Sequence, residues 1–257
     1  MSRYDKLNKI LALVTVCLAV CCVIGLIILG NMPSDQGGGN DGPSVPSGND
    51  KPSVTIDNVI LPQSADAGDG YINSIYFVGD STTYHFHKGG VDKSHLLVPD
   101  SLTLMLDSDI LTLSVTADGL NIPNALKSAN AEIVIITVGV NGADNFSEIA
   151  YKTYYKKLIN AIKETSPQTK IIIQSVFPVE YAFSEQQNGI SNQGIDRLNA
   201  WAKEIAVDCS VRYLDTQSVL KNENGAMIPS HSEGDGVHMN AEAYEKIIEY
   251  IKTHAID

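Results

Sequence analysis

Two runs of consecutive β-branched residues limit what this chain can fold into more than any other feature. Ile133-Val134-Ile135-Ile136, within 132–138, and Ile171-Ile172-Ile173, within 170–176, are apolar at every position. A strand with one face in water alternates apolar and polar residues, because successive side chains point to opposite faces. A continuous apolar run predicts strands covered on both faces, as in parallel sheets flanked by crossover helices. Ile75-Tyr76-Phe77-Val78, residues 110–115 and residues 211–214 are three further candidate strands. Helical patterns separate the later strands. Asn145 and Glu148 have capping-box spacing, and Tyr151, Tyr154, Leu158 and Ile162 follow at helical intervals until Ser166-Pro167. A second helix over 191–207 carries Ile195, Leu198, Trp201, Ala202 and Ile205 on one face. A third begins after Asn240 and carries Tyr244, Ile247, Ile248 and Ile251. Strands alternating with helices imply βαβ crossovers, and such sheets bind ligands at the carboxyl ends of their strands.

This α/β pattern occupies residues 53–257. Ahead of it, residues 10–29 contain no charged side chain and are almost wholly apolar. Twenty helical residues span about 30 Å, the thickness of a hydrocarbon core. Arg3, Lys6 and Lys9 precede the run, against Asp5. The positive-inside rule then predicts a cytoplasmic segment 1–9, a transmembrane anchor 10–29 and an extracytoplasmic remainder. A cleaved signal peptide would have a shorter apolar region and a small-x-small site, which Leu29-Gly30-Asn31-Met32 does not provide. Leu18-Ala19-Val20-Cys21 is a poor lipobox, since Val20 stands where a small residue is expected. Residues 30–52 are rich in Gly, Ser, Pro, Asn and Asp and read as a flexible linker spanning roughly 25 Å.

Charge and cysteine usage agree with that layout. The net charge is -12 although the N-terminus is basic, so the domain is strongly acidic. It does not attract phosphate backbones, which argues against nucleic acid as a partner and leaves membrane contact to the N-terminal helix. Cys17, Cys21 and Cys22 lie in the apolar segment, leaving Cys209 alone in the domain without an internal disulfide partner. It closes a helical pattern and reads as a small buried side chain.

Three segments at predicted strand ends or helix starts carry reactive side chains. Gly79-Asp80-Ser81 follows the first strand and presents a hydroxyl at the mouth of the sheet; a simple turn or N-cap is the plainer reading. Gly139-Val140-Asn141-Gly142 follows the 132–138 strand, and the asparagine amide could donate to a developing oxyanion or merely occupy a turn. Asp235-Gly236-Val237-His238 precedes the last helix, with a carboxylate three residues before an imidazole. That spacing lets Asp235 reach one ring nitrogen and leave the other for the Ser81 proton, or serves as a capping or metal-binding pair. Together the segments could supply a nucleophile (Ser81), a base (His238), an orienting acid (Asp235) and oxyanion donors, namely the Ser81 N–H and the Asn141 amide.

Here the chain resembles the SGNH (GDSL-type) hydrolase family. Phe77-Val78-Gly79-Asp80-Ser81 resembles its first block, Gly139-Val140-Asn141-Gly142 its third, and Asp235-Gly236-Val237-His238 its fifth, over roughly 71–257. The resemblance implies a three-layer α/β/α, flavodoxin-like fold with a parallel sheet of about five strands, and a serine esterase with a Ser81–His238–Asp235 triad. There are two departures. Gly142 stands where the third block usually has Asp. The second-block glycine, whose N–H joins the oxyanion hole, has no clear counterpart, and spacing puts it near Ser114 or Gly119.

The expected substrate is an ester with a short acyl group, such as O-acetyl on carbohydrate or cell-wall glycan. Tyr84, with His85, Phe86 and His87, is expected to line one wall of the site, and Tyr181, with Phe183, the other. A non-catalytic glycan-binding surface domain, and an acyltransferase or lysophospholipase using the same triad, are the alternatives. A metal-dependent phosphohydrolase built on Asp80, Asp235 and His238 would need further carboxylates or histidines at neighbouring strand ends. No P-loop or dinucleotide fingerprint occurs, so no cofactor or metal is expected.

Overall fold

The apolar runs form the middle of a five-stranded, wholly parallel sheet ordered β2-β1-β3-β4-β5. This computed structural model describes residues 55–186 and 188–256. The elements are α1 (Ile56–Val59), α2 (Gly68–Ile72), β1 (Ile75–Gly79), α3 (Ser81–Tyr84), β2 (Leu96–Leu97), α4 (Ile122–Ser128), β3 (Ile133–Thr137), α5 (Glu148–Thr165), β4 (Lys170–Gln174), α6 (Tyr181–Ser184), α7 (Asn192–Cys209), β5 (Arg212–Leu214) and α8 (Ala241–Lys252). The predicted segments 1–9, 10–29 and 30–52 lie outside the described residues. Among the described residues no helix is long and apolar enough to cross a membrane.

Burial along β3 explains its composition. All five of its residues are buried. Ile133 and Ile135 join one apolar layer, with α2 and α8, while Val134 and Ile136 join the other, with α4, α5 and α7. Each fully buried side chain of this size contributes roughly 1.5–3 kcal/mol. The result is three layers, helices on both faces of one sheet.

Helix starts follow local chemistry. Ser191 accepts the Gly194 N–H at 3.0 Å and Asn240 the Ala243 N–H at 3.2 Å, so α7 and α8 begin where the sequence predicts. The start of α5 differs from the expected Asn145 cap. Ser147 accepts the Ala150 N–H at 3.2 Å, while the Asn145 N–H closes a turn onto the Gly142 carbonyl at 2.9 Å. The buried face also shifts, to Tyr151, Tyr155, Leu158, Ile159 and Ile162, with Tyr154 at its margin. The Tyr155 and Tyr151 phenols donate to the carbonyls of Ile136 and Val138, at 3.1 and 3.2 Å, near the end of β3. Cys209 is buried at the end of α7.

The predicted strand over 110–115 is not a strand. Its place in the sheet is taken by Leu96–Leu97, too short to produce a periodic signal. Asp109 starts a turn there, accepting the N–H groups of Thr112 and Leu113 at 2.8 and 2.9 Å. The Asn121 amide satisfies the Leu111 carbonyl at 2.7 Å, and one isolated bridge joins Ser114 to Asn121. Ile110 and Val115 bury their side chains without joining the sheet.

Candidate active site

Strand order reverses between β1 and β3, and both leave the sheet at their carboxyl ends into the loops carrying Ser81 and Asn141. This is the switch point where open α/β sheets bind ligands. Gly79, the last residue of β1, must be small. A Cβ there would lie 2.0 Å from Thr83 Oγ1 and 2.4 Å from the Thr137 carbonyl. The chain therefore turns at once into α3, capped by Asp80, whose Oδ1 accepts the Thr82 N–H at 3.0 Å.

The segment before α8 meets this turn. His238 Nε2 lies 2.9 Å from Ser81 Oγ, and His238 Nδ1 lies 2.6 Å from Asp235 Oδ2. The other Asp235 oxygen accepts the N–H groups of Val237 and His238 at 2.9 and 2.8 Å. Against a burial cost, the bonds from the His238 side chain and from these N–H groups hold the Asp235 carboxyl below its ordinary pKa. An ionised Asp235 fixes the tautomer with the proton on Nδ1 and leaves the Nε2 lone pair for the Ser81 hydroxyl. Tyr244, on α8, donates to the Thr82 carbonyl at 2.6 Å and ties the two segments together beneath the site.

The loop after β3 brings the third group. Asn141 Nδ2 lies 3.3 Å from Asp80 Oδ2, a long hydrogen bond, which puts the amide beside the Ser81 turn. Gly142 supplies no loop-fixing carboxylate, and Asp144, two residues on, anchors the loop instead. Its Oδ1 accepts the Ser191 hydroxyl at 2.5 Å, and its own N–H donates to the Gly189 carbonyl at 3.1 Å. Of the two positions expected for the second block, Gly119 already donates its N–H to the Thr116 carbonyl at 3.0 Å, and Ser114 lies in the bridge to Asn121.

The expected walls are partly rearranged. Phe86 does not face the site: it is fully buried among Phe77, Phe177 and Tyr244. His87 Nδ1 pairs with the Tyr84 carbonyl at 2.7 Å. The Tyr84 hydroxyl accepts from Lys93 at 3.2 Å. His85 is the ring nearest the site, its centroid 4.9 Å from that of His238. Burial first, then the nearby Lys88 and His238 charges, lower the His85 pKa to about 4, so it is neutral beside His238 at ordinary pH. Lys88 binds Glu233 at 2.7 Å, linking the turn after α3 to the segment that carries Asp235. On the other side, α6 leaves Tyr181 61% exposed and packs Phe183 against Gly236. The Glu180 N–H, just before α6, donates to the Gly236 carbonyl at 2.8 Å. Among the described residues no group of three or more His, Cys, Asp or Glu side chains is arranged to hold a metal ion.

Sequence reasoning missed Asp80 as a buried partner of Asn141, and also the Lys88–Glu233 link. Asp80 was legible only as a cap or a metal ligand, because nothing in the sequence tells which way its second oxygen points.

A doubly covered parallel sheet with a serine–imidazole–carboxylate chain at its carboxyl edge is the architecture of an α/β acylhydrolase. The chain belongs to the GDSL-like Lipase/Acylhydrolase family, whose sequence profile matches residues 77–246. No curated protein matches it. Among solved structures it is similar to a protein described as a platelet activating factor from Streptococcus pneumonia, with 16% identity over 70% of this chain and 82% of that one, and a TM-score of 0.51. The periplasmic domain of a Salmonella ser. Paratyphi A lipopolysaccharide acetyltransferase shares 18% identity over 76% of this chain and 85% of that one, with a TM-score of 0.49. A GDSL-like lipase from Bacteroides thetaiotaomicron shares 18% over 72% and 89%, with a TM-score of 0.47. At 16% identity the likeness to the first of these is one of fold.

Proposed function

We propose that the protein is a serine esterase in which Ser81 is the nucleophile, His238 the general base and acid, and Asp235 the orienting carboxylate. The reading rests on the unbroken hydrogen-bond chain from Ser81 Oγ through both ring nitrogens of His238 to Asp235. As Ser81 Oγ attacks an ester carbonyl, its proton passes to Nε2, and the imidazolium is stabilised by Asp235. The Ser81 N–H and the Asn141 amide donate to the oxyanion. Collapse of the tetrahedral species breaks the ester C–O bond, and His238 returns the proton to the leaving alcohol. Water then attacks the acyl-Ser81 ester with His238 again as base, releasing the acid and restoring the hydroxyl.

The substrate we favour is a short acyl group, such as O-acetyl, on carbohydrate or cell-wall glycan. Beside α6 lies a cleft of about 330 Å³ lined by the exposed Tyr181 ring and the polar side chains of Glu185, Ser191, Asn192, Gln193 and Asn224. An aromatic face with hydrogen-bonding groups around it suits a sugar better than an acyl chain. Tyr84, one turn beyond Ser81, would bound the opposite side. Residues 10–29 would hold this domain outside the membrane on the 30–52 linker, a reading supported by the uncharged length of that segment. Carbonate extraction combined with protease accessibility in intact cells tests it.

The decisive experiment is p-nitrophenyl acetate hydrolysis by the full-length wild type and by Ser81→Ala, each with and without chelator. We expect chelator-insensitive turnover that falls at least about 1000-fold in Ser81→Ala. Equal rates in two folded proteins would remove the serine-esterase reading and leave glycan binding in its place.

A further inference from the structure

The mechanism leaves the buried carboxyl of Asp80 without a task. Asp80 is 1% exposed and adjoins the proposed nucleophile. Its Oδ1 accepts both the N–H and the hydroxyl of Thr82, at 3.0 and 2.8 Å. Those two bonds account for its role as a helix cap. Its Oδ2 is not needed for that role, and it faces Asn141 Nδ2 at 3.3 Å.

Resting on the serine-esterase reading, we propose that Asp80 is a positioning residue that fixes the orientation of the Asn141 side-chain amide, so that its NH2 group rather than its carbonyl faces the oxyanion. An ionised carboxylate accepts hydrogen bonds and donates none. The amide beside it must therefore turn its nitrogen toward Oδ2, since the flipped amide would set two bare oxygens against each other beside a buried carboxylate. An amide nitrogen carries two hydrogens. With one on Asp80, the other is free for the substrate oxygen, and the amide carbonyl is turned away. The arrangement prepays the orientation before substrate arrives, which is what makes an oxyanion donor effective.

The orientation of the amide then depends on the Asp80 proton. A protonated Asp80 becomes a donor and can hold the flipped amide through its carbonyl. Burial raises the Asp80 pKa to about 6, opposed first by the Thr82 bonds and then by the His238 charge. The titratable groups facing Asp80 are His238, from the segment before α8, and Tyr244, on α8, whose pKa burial and the Asp80 charge raise well above the ordinary value. Tyr244 therefore stays neutral throughout. A proton on Asp80 should therefore lower turnover on the acid side by the same factor as loss of the Asn141 donor.

The test is steady-state p-nitrophenyl acetate hydrolysis from pH 4.5 to 8 by five full-length proteins: wild type, Ser81→Ala, Asp80→Asn, Asn141→Ala and the double variant Asp80→Asn/Asn141→Ala. In Asp80→Asn the side chain at position 80 can hold the flipped Asn141. We expect its kcat to fall about 100-fold, as for loss of an oxyanion donor, with KM within about twofold of wild type. Asn141→Ala should fall to a similar degree, and adding Asp80→Asn to it should cost little more, because the two act as one unit. The acid limb of log kcat should be steeper by up to one unit in wild type than in either single variant. If Asp80→Asn does not fold, the loss of that extra slope in Asn141→Ala still decides the matter. Wild-type kcat retained in a folded Asp80→Asn, multiplicative losses in the double variant, or an unchanged slope in Asn141→Ala would overturn the inference while Ser81 dependence stands. Activity surviving in Ser81→Ala would remove the serine reading and this inference together.

Discussion

Phe183 closes over Gly236 so tightly that the smallest side chain would collide with it. A Cβ on Gly236 would stand 2.6 Å from the Phe183 Cβ. Gly236 also has φ 86, a left-handed backbone that favours glycine. It lies between Asp235 and His238, so α6 and the proposed triad share one boundary.

Gly236→Ala should therefore act on catalysis more than on folding. The clash and the backbone strain both disturb the Asp235–His238 turn, and a displacement near 1 Å can cost about 100-fold. Thermal unfolding and kcat measured together check this. A variant with wild-type kcat would show that the turn is free to shift without consequence.

Asp235→Asn should lower kcat by roughly 10,000-fold, as loss of the correct tautomer does in serine hydrolases. Its side chain is about half exposed, so the fold should survive with little change in unfolding temperature. Burst kinetics would separate slow acylation from slow deacylation, and the expected result is that both steps slow.

Asp80 makes stability depend on pH in an unusual direction for a carboxylate. Its pKa of about 6 is raised by burial, so the folded chain holds this proton more tightly than the unfolded one. The group's contribution is most favourable below about pH 4 and is lost as pH rises through 6, a span of about two pKa units or ~3 kcal/mol. Asp80→Asn removes the charged form. The stability difference between variant and wild type should swing toward the variant by that order between pH 4 and pH 7.5. Denaturant unfolding at both pH values measures it, and a difference independent of pH counts against the buried carboxylate being ionised.

Tyr181→Ala should separate small from extended substrates. Turnover of p-nitrophenyl acetate should stay within about twofold, whereas KM for an O-acetylated oligosaccharide should rise about tenfold, the scale of one lost stacking contact. Equal behaviour on both substrates would take the Tyr181 cleft out of the binding path.

The sheet was legible because its central strands are covered on both faces and so carry uninterrupted apolar runs; β1, β3 and β4 coincide with such runs, and β5, at the edge, with the shorter candidate at 211–214. β2 was not, because two leucines cannot be distinguished from any other buried pair. The stretch 110–115 has the apolar content of a strand, but turn bonds from Asp109 and the Asn121 amide hold its backbone outside the sheet. The three site segments could be read because each follows a strand or precedes a helix. The contacts around the Ser81, His238 and Asp235 side chains could not. The link from Asp80 to Asn141 depends on the rotamer of a buried side chain, and Asp144 took over loop anchoring from a position that sequence spacing did not suggest. Phe86 looked like a wall residue only because it stands beside residues that do approach the site.

Ser81 and His238 are 157 positions apart in sequence, and their bond forms only where α8 has docked on the β1 layer through Tyr244. Until that last helix is in place, Ser81 is a hydroxyl like any other on the chain. Under the proposed mechanism, reactivity is therefore switched on by the completion of folding rather than by any step along the way. A nascent or partly unfolded copy would carry every reactive side chain and yet be inert, and the appearance of esterase activity during refolding would serve as a clock for the docking of the C-terminal helix.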